Sequence, residues 1–263
     1  MALYDHVLID ESAGIATVRI HRPEARNAFT PQTIEELTEV ARAYRRRADI
    51  AAVILTGSNG IFSAGMDLNL VQDGPRPSLV ERRAAMQAGP DLAQAWEAIE
   101  AVTIAAIEGH CIGGSCALAI ACDFRIIAEG GSMRLPEVPL GMSMPWRTIP
   151  RVASLIGASR AKQFILFGDR MDSARCVEWG LAEEVAPTGQ AEACARSWAE
   201  RVAALPPLPV RMTKDAVNAA VNANHHLSAF MDRDQYLLTA LSEDYQEGVK
   251  AFREKRTPQF RGN

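Results

Sequence analysis

The sequence lacks the features of proteins that bind nucleic acid, bind a metal ion or form disulfides in an oxidising compartment. Its 263 residues carry a formal net charge of −4, so it has no excess of the positive charge that neutralises nucleic-acid phosphates. Its five cysteines follow neither a zinc-site nor a disulfide pattern; they are Cys111, Cys116, Cys122, Cys176 and Cys194. We therefore expect a cytoplasmic protein with reduced core thiols, no metal site and no nucleic-acid partner.

The chain also lacks an uninterrupted apolar run of the roughly 20 residues that cross a membrane. The nearest approach is IAAIEGHCIGGSCALAIAC, which Glu108, His110 and a Gly-Gly pair interrupt near its middle. The start, MALYDHVLID, has no basic segment followed by an apolar one, so we expect no signal peptide. We interpret the interrupted run as a strand, a turn and a helix, and we expect no membrane association.

The chain does contain the alternating pattern of an α/β protein. HVLID and GIATVRI predict a strand pair, and Thr30 predicts the N-cap of a helix over 31–47. IAAVILTG and VTIAAIEG are apolar runs rich in β-branched residues, which is typical of strands buried on both faces. This alternation predicts an α/β core with a largely parallel sheet over 1–190, followed by a helical C-terminal region over 191–263.

Finer boundaries are also predicted. A short helix should follow the loop SNGIFSAG, and the helical stretch 78–101 should break at Gly89-Pro90. SMRLPEV predicts a strand, and a helix should run from Trp146 to Phe167. The C-terminal region should be helical except at LPPLPV, where prolines interrupt the pattern.

Two turns of small residues follow the buried strands and precede helices. One is IFSAGMDL and the other contains Gly113-Gly114. Such turns leave backbone N–H groups unpaired, and a helix N-terminus adds partial positive charge. Two of them side by side can stabilise a developing oxyanion. The alternative for Gly113-Gly114 is an ordinary packing turn.

Two side chains near these turns are candidates for a catalytic role. Glu137 lies in RLPEVPLG between two prolines, where it is either a reactive acid or a solvated loop residue. Ser115 lies in GGSCA, which is similar to the G-x-S-x-G motif of serine hydrolases. Ala117 replaces the last glycine of that motif, and the downstream histidines are the adjacent pair His225-His226. We therefore disfavour a serine hydrolase.

Taken in order, five segments resemble the enoyl-CoA hydratase/isomerase (crotonase) family over practically the whole chain. They are HRPEARNAF, FSAGMDL, GHCIGGSCALAIACDFRIIAE, PEVPLGM and GDRMDSARCVEWGLAEEV. The resemblance implies a spiral of β-β-α units and an acyl-CoA thioester substrate. It also implies a homotrimer or a hexamer built as a dimer of trimers, held partly by the C-terminal helices, and no metal or redox cofactor.

The resemblance assigns the catalytic roles. Glu137 corresponds to the family's main acid, and the backbone N–H groups of Met66 and Gly114 correspond to its oxyanion donors. The candidate substrate-binding residues are Arg22, Arg26, Ala64, Gly65, Gly113, Phe252 and Lys255. Phe252 and Lys255 lie at the basic end of the C-terminal helix. The alternative to substrate binding there is an ordinary solvated helix terminus, whose positive charge interacts favourably with the helix dipole. Asp67 is predicted to cap the following helix.

One departure from the family bears on the reaction. Its hydratases carry a second glutamate where this chain has Ala117. Two carboxylates suit the addition of water, whereas moving a double bond from the 3 to the 2 position needs only one base. That base would be Glu137, and we expect apolar neighbours to raise its pKa. The sequence therefore favours an isomerase. The alternatives are an enoyl-CoA hydratase, a decarboxylase or thioesterase of the same family, and a catalytically weak acyl-CoA-binding subunit.

Overall fold

Two sheets form the framework of the computed structural model, which describes residues 4–67 and 77–263. The larger sheet has the strand order β1-β2-β3-β4-β6-β9, and the smaller has the order β5-β7-β8. The strands are β1 (Val7–Ser12), β2 (Ile15–Ile20), β3 (Ala52–Gly57), β4 (Val102–Ile107), β5 (His110–Ile112), β6 (Phe124–Ala128), β7 (Ser132–Arg134), β8 (Met171–Asp172) and β9 (Glu184–Ala186). Pairing is parallel except between β1 and β2 and between β7 and β8, which confirms the largely parallel sheet.

Helices cover the sheets and form the C-terminal part of the chain. They are α1 (Pro31–Tyr44), α2 (Leu79–Ala85), α3 (Ala88–Glu97), α4 (Gly114–Ala121), α5 (Thr148–Phe167), α6 (Ser173–Trp179), α7 (Ala191–Ala203), α8 (Pro207–Asn222), α9 (His225–Ala229), α10 (Asp232–Thr239) and α11 (Glu243–Glu254). Within the described ranges, no helix is long and apolar enough to cross a membrane.

A strand-strand-helix unit recurs along the chain. In the unit β4-β5-α4 and again in β6-β7-α5, the first strand joins the larger sheet and the second joins the smaller one. The predicted spiral of β-β-α units is confirmed. In β4-β5-α4 only Gly113 separates the second strand from the helix, so the chain turns sharply there. In β6-β7-α5 the segment that carries Glu137 lies between the second strand and the helix.

The core extends into the C-terminal region. Ala191, Ala195 and Ala199 recur every four residues along α7 and pack with Ile54 and Ile104 of the larger sheet. The small alanine side chains allow α7 to approach the strands closely. The first helix after residue 190 therefore packs as part of the sheet's core, and α8 to α11 form the outer helical part.

Several predicted boundaries were wrong. The helical stretch over 78–101 breaks at Met86–Gln87, and Pro90 is the third residue of α3, where its missing N–H costs no intrahelical bond. The strand predicted for SMRLPEV ends at Arg134, and Val138–Leu140 forms a 3-10 turn. Pro207 begins α8, so LPPLPV interrupts the helices only briefly.

Three other expectations have different outcomes. The N-cap at Thr30 is confirmed, because its hydroxyl accepts the N–H of Thr33. The helix expected from Trp146 begins at Thr148 and is interrupted at Gly157. The short helix expected after SNGIFSAG falls on 68–76, outside the described residues.

Candidate active site

The first predicted oxyanion donor is the backbone N–H of Met66. The segment that carries it pairs with Phe29, whose N–H donates to Gly65 O at 2.7 Å and whose carbonyl accepts from Asp67 N–H at 2.9 Å. These two bonds flank Met66 and turn its own N–H away from Phe29. Among the described residues, no acceptor is bonded to the Met66 N–H. The donor is therefore available to a ligand.

The second predicted donor is the N–H of Gly114, the first residue of α4. Gly113 before it has φ +57, and its own N–H donates to Arg134 O at 2.9 Å. The N–H of Gly114 has no acceptor within the part of the chain that the structure describes, as is usual at a helix start. The α4 dipole places partial positive charge at this point.

The structure brings these two turns into contact. Gly65 has φ +84, and a Cβ at this position would lie 2.4 Å from Ile112 O and 3.8 Å from Gly113 Cα. Ile112 also donates its N–H to Ser63 O at 3.2 Å, so the two segments are hydrogen-bonded side by side. Only glycine fits between them, because any side chain at 65 would collide with the Ile112 carbonyl.

Ser115 stabilises this junction and is no nucleophile. Its hydroxyl is fully buried and lies 3.0 Å from Ser63 O and 2.9 Å from Ile112 O as a donor. It also accepts the Ile112 N–H at 3.0 Å. His225 lies elsewhere, where its Nε2 is 3.0 Å from Ser154 Oγ. The serine-hydrolase alternative is therefore excluded.

Glu137 lies directly against the Gly113 turn. A Cβ on Gly113 would be 2.9 Å from Glu137 Oε1, and the Glu137 side chain is only 9% exposed. Its Oε2 is buried and has no hydrogen-bond partner in the described ranges. A buried, unpartnered carboxylate oxygen is costly, so its presence beside the turn that carries the free Gly114 N–H indicates a functional role. The solvated-loop alternative for Glu137 is excluded.

Burial raises the pKa of Glu137 from an ordinary value of 4.5 to about 7. The residue's own backbone N–H and the Arg134 guanidinium lower this pKa only in part. No second carboxylate in the described part of the chain contributes to the shift. Ala117, at the position of the absent second glutamate, is fully buried in α4. Glu137 is therefore a single carboxyl group that can hold or release a proton near neutral pH.

This pKa predicts an effect on stability. The folded-state pKa is higher than the unfolded one, so folding favours the protonated carboxyl, and the stabilisation is lost as pH rises through about 7. Glu137→Gln keeps a neutral side chain at every pH, so we expect it to raise the unfolding free energy by about 3 kcal/mol above pH 8. The difference should vanish below about pH 4. Denaturant unfolding of both proteins at pH 4 and pH 8 measures it, and an equal difference at both pH values would contradict the assignment.

Comparison with known proteins agrees with this geometry. Residues 10–263 match the family model described as enoyl-CoA hydratase/isomerase. The chain belongs to this family.

Relatives match over nearly their whole lengths. A protein named "probable enoyl-CoA hydratase" from Mycobacterium tuberculosis is 32% identical over 260 residues, 98% of each chain. A crotonyl-CoA hydratase from Syntrophomonas wolfei is 30% identical, again over 98% of each chain. The crystal structure of a carnitinyl-CoA hydratase from Mycobacterium avium superposes with a TM-score of 0.86 at 28% identity, covering 99% of this chain and 100% of that one.

In this member of the hydratase/isomerase family, the predicted substrate-binding residues lie in two places. The Arg22 guanidinium donates to Ala28 O at 2.6 Å and lies 3.4 Å from an Asp67 carboxylate oxygen, so it helps to hold its own loop. Arg26 is exposed, and its carbonyl accepts the Ala64 N–H at 3.1 Å. The helix that Asp67 was predicted to cap lies outside the described residues.

Phe252 and Lys255 lie near the end of α11, which packs on the Glu137 segment. A Cβ on Gly248 of α11 would lie 2.5 Å from Leu140 O, so helix and segment are in direct contact. Phe252 is 57% exposed, and Lys255 is exposed with φ +55 at the helix C-cap. Their role in binding CoA stays a prediction.

Two aromatic neighbours of this site were not among the predicted site residues. Trp146 lies against Gly114, since a Cβ there would be 2.9 Å from the indole. The pKa of Tyr236 in α10 is raised by burial, by Tyr245 and by the charge of Glu137, so this phenol is close enough to Glu137 to be affected by its charge. A tryptophan after Pro145 was a visible signal, but Tyr236 has no motif around it that could have identified it.

Proposed function

We propose that this protein isomerises 3-enoyl-CoA to 2-enoyl-CoA, with Glu137 as the single acid/base. The observation that carries the proposal is the buried Glu137 carboxyl group, whose Oε1 lies against the Gly113 turn and whose Oε2 has no hydrogen-bond partner among the described residues. Ala117 supports it, because the position of a second carboxylate is occupied by a buried methyl group. The raised pKa of Glu137 supports it as well, because one carboxyl must both accept and return a proton.

The reaction follows from this arrangement. The N–H groups of Met66 and Gly114 donate to the thioester oxygen, and the Glu137 carboxylate removes a proton from C2. The C–H electrons then form the C1–C2 double bond of a dienolate, whose negative oxygen the two donors stabilise. The protonated Glu137 returns the proton to C4, and the double bond forms between C2 and C3. Atoms and charge balance without a cofactor.

Hydration of a 2-enoyl-CoA is the second candidate. The observation in its favour is that curated relatives at 30% and 32% identity are named as hydratases. Hydration adds the oxygen of water to C3 and a proton to C2. It would need Glu137 to serve both steps or another group, such as the Tyr236 hydroxyl, to hold the water.

One experiment separates these activities. The purified protein is incubated with a 3-enoyl-CoA and, separately, with a trans-2-enoyl-CoA, and products are identified by mass and retention time. Isomerisation predicts a mass-neutral product from the first substrate and no gain of one water from the second. Water addition without isomerisation would overturn the isomerase proposal. Failure to turn over either substrate, with acyl-CoA bound, would favour the binding-subunit alternative.

We also propose that the chain forms a homotrimer or a dimer of trimers through its C-terminal helices. Large apolar side chains on these helices are more than half exposed, as expected for surfaces that a second copy covers. They include Leu208, Met212, Leu227 and Leu238. Sedimentation of the purified chain measures this assembly, and a monomer at micromolar concentration would contradict it.

A further inference from the structure

Trp146 contacts both halves of the predicted oxyanion hole. Its indole packs against Gly114, so that a Cβ on that glycine would be 2.9 to 3.2 Å from three ring atoms. The same ring stacks on Phe29 with centroids 6.3 Å apart and an interplanar angle of 14°. Phe29 is the residue whose backbone bonds flank Met66. One rigid side chain therefore joins the segment of each N–H donor.

The indole is tightly enclosed on its other edge. A Cβ on Gly89 of α3 would lie 1.8 Å from Trp146 Nε1, so a glycine is required at this position too. The Trp146 side chain is only 8% exposed. Since the ring is held on both edges and on one face, it has no room to turn away from Gly114.

The backbone around Trp146 is held in an unfavourable conformation. Trp146 and Arg147 have φ +67 and +55, which residues with a side chain rarely adopt. The buried carboxylate of Asp232 in α10 accepts the Arg147 N–H at 2.6 Å. Arg151 donates to the Trp146 carbonyl at 3.1 Å. Such a strained backbone persists only where surrounding residues hold it in place, and it is found most often at functional sites.

Arg151 is itself fixed by a buried ion pair. Its Nε and Nη2 donate to the two carboxylate oxygens of Glu97 at 2.9 and 3.0 Å, and its side chain is 6% exposed. Glu97 belongs to α3, the helix that also carries Gly89. The turn at Trp146 is therefore tied to α3 through Arg151 and to α10 through Asp232.

From these contacts we propose that Trp146 is a positioning residue of the oxyanion hole. It sets the spacing between the Met66 and Gly114 donors by contacting Phe29 and Gly114 at the same time, and it keeps water from one side of Gly114. This inference rests on the proposed function only in that both require an oxyanion hole, and it holds for isomerisation and hydration alike. It requires no contact between Trp146 and the nucleotide part of the substrate.

The test uses Trp146→Ala and Trp146→Phe, with Trp179→Phe as a matched control. Trp179 has the same 8% exposure but lies in α6, where it contacts Arg160 and Arg175. We expect kcat of Trp146→Ala to fall by about 10- to 100-fold, because a displacement of about 1 Å in a positioned group has effects of that size. KM should stay within about threefold, since ground-state contacts are retained. Trp146→Phe should show a smaller but measurable loss of kcat, up to about tenfold, and Trp179→Phe should match the wild type.

A spectroscopic readout separates positioning from a general structural role. Bound cinnamoyl-CoA, which has no proton at C4 to move, should absorb at longer wavelength than free cinnamoyl-CoA, because two donors at the thioester oxygen polarise its conjugated chain. The shift should be smaller in Trp146→Ala than in the wild type and unchanged in Trp179→Phe. A folded Trp146→Ala with the wild-type kcat and shift would overturn the inference.

Other outcomes are equally decisive. If Trp146→Ala does not fold, Trp146→Phe becomes the test. Phenylalanine keeps a ring near Phe29 but lacks the outer edge of the indole, which contacts Gly114. Wild-type kcat and shift in that variant would then overturn the inference. If the wild type itself binds the probe without any shift, the oxyanion hole of the proposed function fails instead.

Discussion

Replacing Glu137 with glutamine is expected to lower kcat by about 10³-fold, the middle of the range for a general acid/base. Glutamine matches the shape of glutamate but cannot accept a proton from C2. The side chain is buried with one unpartnered oxygen, so the neutral amide leaves no charge uncompensated. Acyl-CoA affinity should stay near the wild-type level, which calorimetric titration with a non-reactive acyl-CoA measures.

The matched control is Glu129→Gln, which changes the same group on an exposed residue. This variant should keep wild-type activity. In the wild type, the rate should rise with pH through about 7, because the base must be deprotonated and its pKa is raised to that value. Unchanged turnover in Glu137→Gln would contradict both enzymatic candidates that depend on this acid.

Gly65→Ala is expected to lower kcat by about 10²-fold or more, the size of effect seen when one oxyanion donor is lost. A Cβ at residue 65 would lie 2.4 Å from Ile112 O, a backbone atom that a rotamer change cannot move. The segment of Met66 must therefore shift away from the Gly113-Gly114 turn, and its N–H no longer meets the thioester oxygen. Steady-state kinetics and thermal unfolding measure both consequences.

Gly60→Ala separates this collision from backbone strain. Gly60 has φ +69, close to the +84 of Gly65, but no atom lies within 4 Å of its added Cβ. Both substitutions place alanine in the left-handed region, at a cost of about 1 kcal/mol or somewhat more. We expect Gly60→Ala to lose some stability and to keep its kcat. Equal loss of kcat in both variants would show that strain in the loop, rather than donor spacing, matters.

Much of the scaffold was predictable because local patterns and burial agree. IAAVILTG and VTIAAIEG became β3 and β4 of the larger sheet, since runs of β-branched apolar residues suit strands covered on both faces. The Gly-Gly turn was predictable from residue type, because the positive φ of +57 at Gly113 favours glycine. Boundaries at Pro90 and Pro207 were wrong because proline in a first helical turn is as acceptable as proline in a break.

The site's surroundings were less predictable because they join distant parts of the chain. Arg22 was predicted to bind the substrate, which stays a prediction; its pairing with Asp67, 45 residues away, had no signal in the sequence. The charge of Glu137 affects Tyr236, which belongs to a helix whose sequence has no motif. The helix α7 was predicted, but its packing on the larger sheet was not, because alanines spaced by four residues suit an exposed helix as well as one that approaches strands closely.

The sequence by itself determined the order of strands and helices, the two glycine turns, the lone carboxylate at Glu137 and the absence of a second one at Ala117. These are local properties, set by residue type and by the conformations that glycine and proline allow or forbid. Only the tertiary structure decided that the two turns touch, that Glu137 is buried beside them with its pKa raised, and that Trp146 joins both donor segments. Contact and desolvation arise between segments far apart in the chain, so no single stretch of sequence contains them.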